Sequence, residues 1–140
     1  MTTIDAEIVL SVAMVINGLV LIGAGWVMLV VSGKLVRGEV SRKNNMGIGF
    51  KIKEAYASDE AWYRINREGG KQMILPSKAV IALGALMALY GVLIIPCQFV
   101  FQTSFLVFNI VMVVVVLAIL VPAIGYWIWV RRNERKRKAA

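Results

Sequence analysis

Two long stretches without a charged side chain dominate the hydropathy pattern of this chain. The first covers the 26 residues at 8–33, and the second covers the 52 residues at 79–130. An α-helix rises about 1.5 Å per residue and a bilayer core is about 30 Å thick, so one crossing needs about 20 residues. The first stretch therefore predicts one spanning helix and the second predicts two, at about 8–32, 78–98 and 105–129.

The break between the second and third spans is predicted at 98–105, just after Pro96. Polar and aromatic side chains cluster there, as they do where helices leave the bilayer. The pattern as a whole predicts an all-α membrane protein with three transmembrane helices. Residues 1–140 are predicted to form one integral membrane domain, with a loop at 34–77 and a tail at 131–140.

Charge outside the apolar stretches predicts how the protein is oriented. The net charge is −2 over residues 1–7, +5 over 34–78 and +5 over 131–140, which together make the +8 of the whole chain. Basic residues beside spanning helices favour the cytoplasmic side of a membrane. The N-terminus is therefore predicted outside, and the loop and tail inside. Three spans place the two ends on opposite faces, as this orientation requires.

The end of the third span carries the residues that are typical of a membrane surface. Tyr126, Trp127 and Trp129 come just before the pair Arg131-Arg132. Aromatic residues concentrate at the level of the lipid headgroups, and basic residues anchor the helix beyond them. We expect these three aromatic side chains to form an interfacial belt.

Small residues at helical spacing predict where the spans pack closely. Gly84, Ala88 and Gly91 follow one another at i, i+4 and i+7 in the second span, and Gly18 lies in the first. Small side chains let helix backbones approach each other within a membrane. The sequence leaves open whether these faces meet within one chain or contact a partner chain.

The loop between the first and second spans contains the signals of a helix at about 58–68. Ser58 is a favourable N-cap, and Asp59 and Glu60 oppose the positive end of the helix dipole. Glu60 with Arg64, and Arg64 with Glu68, have the spacing of ion pairs between successive turns. The sequence therefore predicts a short helix within the loop.

This predicted helix has an apolar side and a basic side, and Gly69-Gly70 predicts its end. The apolar side consists of Ala61, Trp62 and Ile65. We expect the helix to lie flat on the inner membrane surface with anionic lipids as partners. The basic side chains near the lipid phosphates would then be Arg64, Arg67 and Lys71.

The sequence lacks the parts of a catalytic, metal or cofactor site. It has no histidine, a single cysteine at position 97, and no charged residue within the stretches 8–33 and 79–130. Acid-base catalysis, nucleophilic catalysis and metal binding depend on such residues, and transport commonly depends on charge inside the bilayer. We expect no enzyme, no independent transporter and no cofactor. Nucleic acid is not expected as a partner either, because the basic residues lack an RNA-binding aromatic motif.

A spaced set of loop residues resembles the signature of a known family. The set reads Asn45, then Gly49-Phe50-Lys51, then Ser58-Asp59-Glu60-Ala61-Trp62, then Asn66-Arg67. It is similar to the SdpI family of bacterial membrane proteins. Those proteins typically read Asn, three residues, Gly-Ile-Arg, a Ser-Asp-Glu block ending in Trp, and His-Arg. Lys51 stands where the family usually has Arg, and Asn66 stands where it usually has His.

The resemblance implies a multi-pass protein of the bacterial cell membrane that protects against a secreted killing peptide. It also implies signal reception, in which a cytoplasmic regulator is held at the membrane. The chain would correspond to the C-terminal module of longer immunity proteins. Two alternatives stay open: the motif only stabilises the loop, or the chain is an accessory subunit that packs onto a larger membrane complex through its glycine-bearing faces.

Overall fold

The computed structural model describes residues 3–43, 48–94 and 101–139, and within them the chain is helical without any strand. Helix α1 covers Thr3–Arg37, α2 covers Asp59–Leu93 and α3 covers Phe101–Ala139, and a short 3₁₀ turn at Ala55–Ala57 precedes α2. Each helix contains a segment long and apolar enough to cross a membrane. These segments are Asp5–Arg37, Asp59–Leu93 and Thr103–Lys136. The predicted all-α fold with three spanning helices is confirmed.

Helix α1 ends in a glycine cap. Gly38 has a φ of +73°, in the left-handed region that favours glycine. Its backbone N–H donates to the carbonyl of Leu35 at 3.1 Å, and the N–H of Glu39 donates to the carbonyl of Lys34 at 3.0 Å. These two bonds form a Schellman motif, which satisfies carbonyl groups at the end of the helix.

Helix α2 is continuous over 35 residues, so the predicted end at Gly69-Gly70 is wrong. The segment predicted as a separate loop helix at 58–68 is the first part of α2, and the residues from 59 to 77 of the predicted loop are helical. Both glycines are buried. A Cβ atom on Gly70 would lie 2.9 Å from the carbonyl oxygen of Ser32. The glycines therefore serve close packing, for which a helix tolerates their low propensity.

The turn predicted at 98–105 lies partly outside the described residues. Its described part is wrong, because α3 begins at Phe101 and the residues from there to 105 are helical. Gln102, Thr103 and Ser104 belong to the first turns of α3. Ser104 is buried, and its hydroxyl oxygen lies 3.3 Å from that of Tyr90.

The chain divides into two compact units, and each of the three helices contributes to both. The glycine unit consists of Met1–Trp26 and Lys78–Ala118. The motif unit consists of Val27–Ser77 and Ile119–Ala140. The first contains the small residues that the sequence marks for close packing, and the second contains most of the loop motif.

In the glycine unit, the small residues bring α1 and α2 into backbone contact. A Cβ atom on Gly18 would lie 2.6 Å from the carbonyl oxygen of Gly84 and 2.6 Å from the amide nitrogen of Ala88. One on Gly91 would lie 3.0 Å from the carbonyl oxygen of Ser11, whose hydroxyl donates to the carbonyl of Gly91 at 2.7 Å. The faces that the sequence left unassigned therefore meet within one chain.

Candidate functional site

The loop motif is organised around Trp62 at the beginning of α2. Its side chain is fully buried, and its indole N–H donates to the carbonyl of Val40 at 3.1 Å. The ring of Tyr56 packs against it with centroids 5.2 Å apart. Trp62 thus ties the segment after α1 and the 3₁₀ turn to α2, and an apolar ring with one polar group suits a buried site of this kind.

Asn66 lies one helical turn after Trp62 and fastens a second part of the loop. It is 2% exposed. Its side-chain nitrogen donates to the carbonyl of Trp62 at 3.0 Å, and its oxygen accepts the backbone N–H of Phe50 at 2.6 Å. A buried side-chain amide is destabilising unless both its donor and its acceptor are hydrogen-bonded. The two hydrogen bonds of Asn66 meet this requirement, and the second one fixes Phe50 against α2.

Position 49 requires a glycine for two reasons, its backbone conformation and the lack of room for a Cβ atom beside Asn66. Its φ of +112° lies in a region that other residues rarely adopt. A Cβ atom at this position would lie 2.6 Å from the side-chain oxygen of Asn66 and 3.2 Å from the ring of Trp62. The glycine of the motif therefore allows the loop backbone to reach the tryptophan and the asparagine.

Phe50 packs in turn against α3, where Tyr126 corrects another prediction. The two rings have centroids 4.9 Å apart, and the Tyr126 hydroxyl donates to the carbonyl of Ile65. Tyr126 is 5% exposed, so it belongs to the protein core and not to an interfacial belt, whereas Trp127 and Trp129 are 41% and 49% exposed. Gly69 makes room for this cluster, because a Cβ atom there would collide with both Phe50 and Tyr126.

The apolar side of the predicted loop helix faces protein. Ala61, Trp62 and Ile65 are 6%, 0% and 2% exposed. Trp62 and Ile65 belong to one hydrophobic cluster with Leu35, Val40 and Tyr126. The prediction that this side rests on the membrane surface is therefore wrong. An apolar stripe at helical spacing looks the same in sequence whether lipid or protein covers it.

The beginning of α2 is capped by the Ser58-Asp59-Glu60 block. The hydroxyl oxygen of Ser58 accepts the backbone N–H of Ala61 at 3.0 Å, as expected of an N-cap. The carboxylate of Asp59 lies 3.1 Å from the guanidinium of Arg42. Glu60 forms the predicted pair with Arg64, with 3.9 Å between nitrogen and oxygen.

Arg64 makes its closer ion pair with the tail. A guanidinium nitrogen lies 2.5 Å from a carboxylate oxygen of Glu134, and the two side chains are only 28% and 17% exposed. The predicted pair between Arg64 and Glu68 is not formed, because Glu68 pairs with Lys71 at 2.6 Å. A cavity of about 460 Å³ lies beside the Arg64–Glu134 pair. It is lined by these two residues together with Ile65, Glu68, Trp129, Asn133 and Lys136.

Two basic residues of the motif remain at the surface. Lys51 and Arg67 are exposed, and neither forms an ion pair within residues 3–43, 48–94 and 101–139. Each is the chain neighbour of one partner in the hydrogen bond between Phe50 and Asn66. Asn45, the first residue of the motif, lies outside the described residues. The motif therefore combines a buried polar scaffold with two free cations close to it.

Sequence reasoning missed several residues that complete this site. Val40 contributes only a backbone carbonyl, which no sequence signal reveals. Arg42 and Glu134 lie 17 and 70 positions from their ion-pair partners. The charge of Glu134 within a basic tail was a usable signal, since it is the only acidic residue there. Over the described part of the chain, no group of three His, Cys, Asp or Glu side chains has the arrangement of a metal site.

Comparison with known proteins gives a family match that covers most of this site. A protein-family model described as the SdpI/YfhL protein family matches residues 42–126. The match begins at Arg42, whose side chain pairs with Asp59, and ends at Tyr126, whose hydroxyl binds the backbone of α2. No curated protein and no solved structure matches the chain.

Proposed function

The chain belongs to the SdpI/YfhL protein family, and from this we propose that it is a bacterial cell-membrane protein that gives immunity against a secreted antimicrobial peptide. We propose further that it receives signals through the motif unit, by holding a cytoplasmic regulator. The role is one of binding and not of catalysis. Membership of the family supports this function, together with the three helices that are apolar enough to span a membrane.

The proposed orientation places the loop at 34–77 and the tail at 131–140 in the cytoplasm. Residues 34–78 and 131–140 each carry a net charge of +5, and residues 1–7 carry −2. Basic flanks favour the cytoplasmic side, so the N-terminus lies outside the cell. A secreted peptide then meets the membrane-spanning segments from outside, whereas a regulator meets the motif unit from inside.

Within the motif, buried residues hold the loop and exposed residues are available to a partner. Trp62 and Asn66 are buried and use their polar groups to hold the loop, whereas Lys51 and Arg67 are exposed and have no ion-pair partner in the described structure. Two exposed cations without an ion-pair partner favour an acidic partner segment, because opposite charges attract across an interface. We therefore propose that Lys51 and Arg67 contact an acidic segment of the regulator.

The immunity role is tested by deletion and complementation in the source bacterium. Loss of the gene should raise sensitivity to one secreted peptide toxin, and the intact chain should restore resistance. The double variant Trp62→Ala/Asp59→Ala should fail to restore it if the folded motif unit is needed. Unchanged sensitivity in the deletion strain, across the peptides secreted by neighbouring bacteria, would contradict immunity.

Regulator binding is tested by charge reversal with a matched control. Lys51→Glu/Arg67→Glu and Lys43→Glu/Lys53→Glu change the net charge equally, and all four side chains are exposed in the motif unit. Only the first pair should abolish co-purification of the cytoplasmic partner. Equal loss with both pairs would show that the interaction depends on total charge and would remove Lys51 and Arg67 from the proposed site.

A second candidate function is that of an accessory subunit in a larger membrane complex. One observation favours it: in the 18-residue apolar window of Thr103–Lys136 in α3 only 11% is buried, compared with 28% in that of Asp5–Arg37 and 33% in that of Asp59–Leu93. This segment therefore leaves an extended apolar surface for a membrane partner. Gentle solubilisation followed by mass spectrometry separates the two functions, because a subunit should co-purify with a stoichiometric integral membrane complex.

A further inference from the structure

Three arginine side chains line a small cleft near the end of α3. The cleft has a volume of about 170 Å³ and is lined by Ile128, Arg131, Arg132 and Arg135. The three arginines follow Ile128 by three, four and seven positions, so all four residues share one face of the helix. All of them lie in a single helix of the motif unit.

The cleft concentrates positive charge that the described protein leaves unbalanced. None of the three guanidinium groups forms an ion pair with a described residue. The carboxylate of Glu134, which lies between them in sequence, is engaged by Arg64. Like charges one turn apart on a helix repel each other, so an anion in the cleft relieves this repulsion.

One of the arginines is held in place by an aromatic ring. The guanidinium carbon of Arg131 lies 4.1 Å from the centre of the Trp127 ring. This distance is within the range of a cation-π interaction, and stacking limits the orientations of the planar group. A guanidinium offers two parallel N–H donors, which match the oxygen atoms of a phosphate.

The position of the cleft indicates which phosphate it takes. Ile128 and Trp127 are 42% and 41% exposed, and they belong to the last turn of the charge-free stretch 79–130. The arginines begin immediately after it. A ligand that bridges these two zones has an anionic head and an apolar chain, which is the chemistry of a phospholipid at the membrane surface.

We propose that this cleft is a binding site for the headgroup phosphate of an anionic phospholipid, whose acyl chain lies along Ile128 and Trp127. The inference is independent of the immunity function, because it concerns the isolated chain and a lipid. It assigns to Arg131, Arg132 and Arg135 a local site that differs from general attraction to a negative membrane surface.

The test uses the full-length chain in a neutral detergent, where no charged bilayer surface contributes. Native mass spectrometry measures binding of phosphatidylglycerol to the intact protein and to the triple variant Arg131→Gln/Arg132→Gln/Arg135→Gln. The matched control is Lys43→Gln/Lys53→Gln/Lys136→Gln, which removes the same charge from exposed positions outside the cleft. The cleft variant should weaken binding roughly tenfold or more, because each phosphate contact by a basic residue contributes several-fold. The control should change binding less than about twofold.

Three results would overturn the proposal. Equal loss in both triple variants would mean that only total charge matters, and no loss in the cleft variant would mean that the lipid binds elsewhere. Displacement of the lipid by an equal concentration of inorganic phosphate would identify a site for the free anion. Two further measurements sharpen the test. The variant Arg132→Lys keeps the charge but loses the planar guanidinium with its two parallel donors, so it should bind phosphatidylglycerol more weakly than the intact chain and more tightly than the triple variant. Phosphatidylcholine should not compete with phosphatidylglycerol for the cleft.

Discussion

The glycine unit and the motif unit are held together in opposite ways. In the glycine unit, α1 and α2 approach because Gly18, Gly84 and Gly91 lack side chains. In the motif unit, the loop is fixed because Trp62 and Asn66 have side chains with specific hydrogen-bond partners. The hydrophobic effect does not drive helices together in lipid, so the contact between α1 and α2 depends on close backbone packing. A loop outside the apolar stretches must satisfy its backbone groups individually, which requires polar side chains.

This contrast predicts that the two units respond differently to substitution. Removing a side chain should damage the motif unit most, whereas adding a methyl group should damage the glycine unit most.

Truncation of the central tryptophan should have the largest effect. Trp62→Ala removes a fully buried ring and leaves the carbonyl of Val40 without its donor. Loss of a buried aromatic side chain costs about 3–5 kcal/mol. Hydrogen exchange of the purified protein should show the motif unit opening, while amides of the glycine unit stay protected. The control Tyr63→Ala truncates an adjacent ring that is 42% exposed, and it should leave exchange nearly unchanged.

Addition of one methyl group should have the next largest effect, and in the other unit. Gly84→Ala would place a Cβ atom 2.7 Å from the carbonyl oxygen of Gly18 and 2.9 Å from the amide nitrogen of Ile22. Overpacking of this kind costs about 1–3 kcal/mol. Gly23→Ala should instead preserve or raise stability, since nothing lies within 4 Å of its Cβ position and alanine favours helix. Equal thermal stability of the two variants in detergent would contradict the packing described for α1 and α2.

Asn66→His should make the stability of the motif unit depend on pH. A neutral imidazole has one donor and one acceptor, so it can replace both hydrogen bonds of Asn66, but a protonated ring cannot accept the N–H of Phe50. The pKa of the introduced ring is therefore lowered on folding below its ordinary value of about 6.5. Stability should be retained above that value and lost as the pH falls. The intact chain should show no such transition between pH 7 and 5 when exchange of the Phe50 amide is followed.

The smallest effect is expected at the exposed pair of Arg37 and Glu39 at the end of α1. The hydrogen bond from Arg37, with a smaller contribution from its charge, lowers the pKa of the Glu39 carboxyl below its usual value. Its stabilising contribution is present above the ordinary pKa of glutamate and is lost as the pH falls through the lowered one. Arg37→Gln should return the pKa of Glu39 towards its usual range in an NMR titration. Thermal stability at neutral pH should barely change, because exposed ion pairs contribute little.

Hydropathy alone was sufficient to predict the three helices, because a charged side chain is costly within the bilayer and is therefore excluded from every position of a long stretch. The Ser58 cap and the pair of Glu60 with Arg64 were also predictable, because both are local. Gly69-Gly70 led to a wrong prediction. A glycine pair can end a helix, or it can make room for a neighbouring side chain or backbone within a helix. Only the neighbour that packs against the glycines, which the sequence does not show, distinguishes these two roles. Tyr126 could not be assigned from sequence for a similar reason, because its partner Ile65 is 61 positions away.

The motif shows the same limit for function. Its spacing predicts which residues belong together, and the structure brings Gly49, Trp62 and Asn66 into contact. It does not separate residues that hold the loop from residues that remain free for a partner. That separation depends on burial, which sets Trp62 and Asn66 apart from Lys51 and Arg67.

The proposed function requires the loop at 34–77 to face the cytoplasm, and cysteine labelling tests this orientation directly. Lys53→Cys, in a chain whose native Cys97 is replaced by alanine, places an exposed thiol in the motif unit. A membrane-impermeant maleimide applied to intact cells should leave it unlabelled and should label it after permeabilisation. Thr3→Cys in the same background should be labelled in intact cells and serves as the positive control. Labelling of Lys53→Cys in intact cells would place the motif unit outside and contradict the proposed binding of a cytoplasmic regulator.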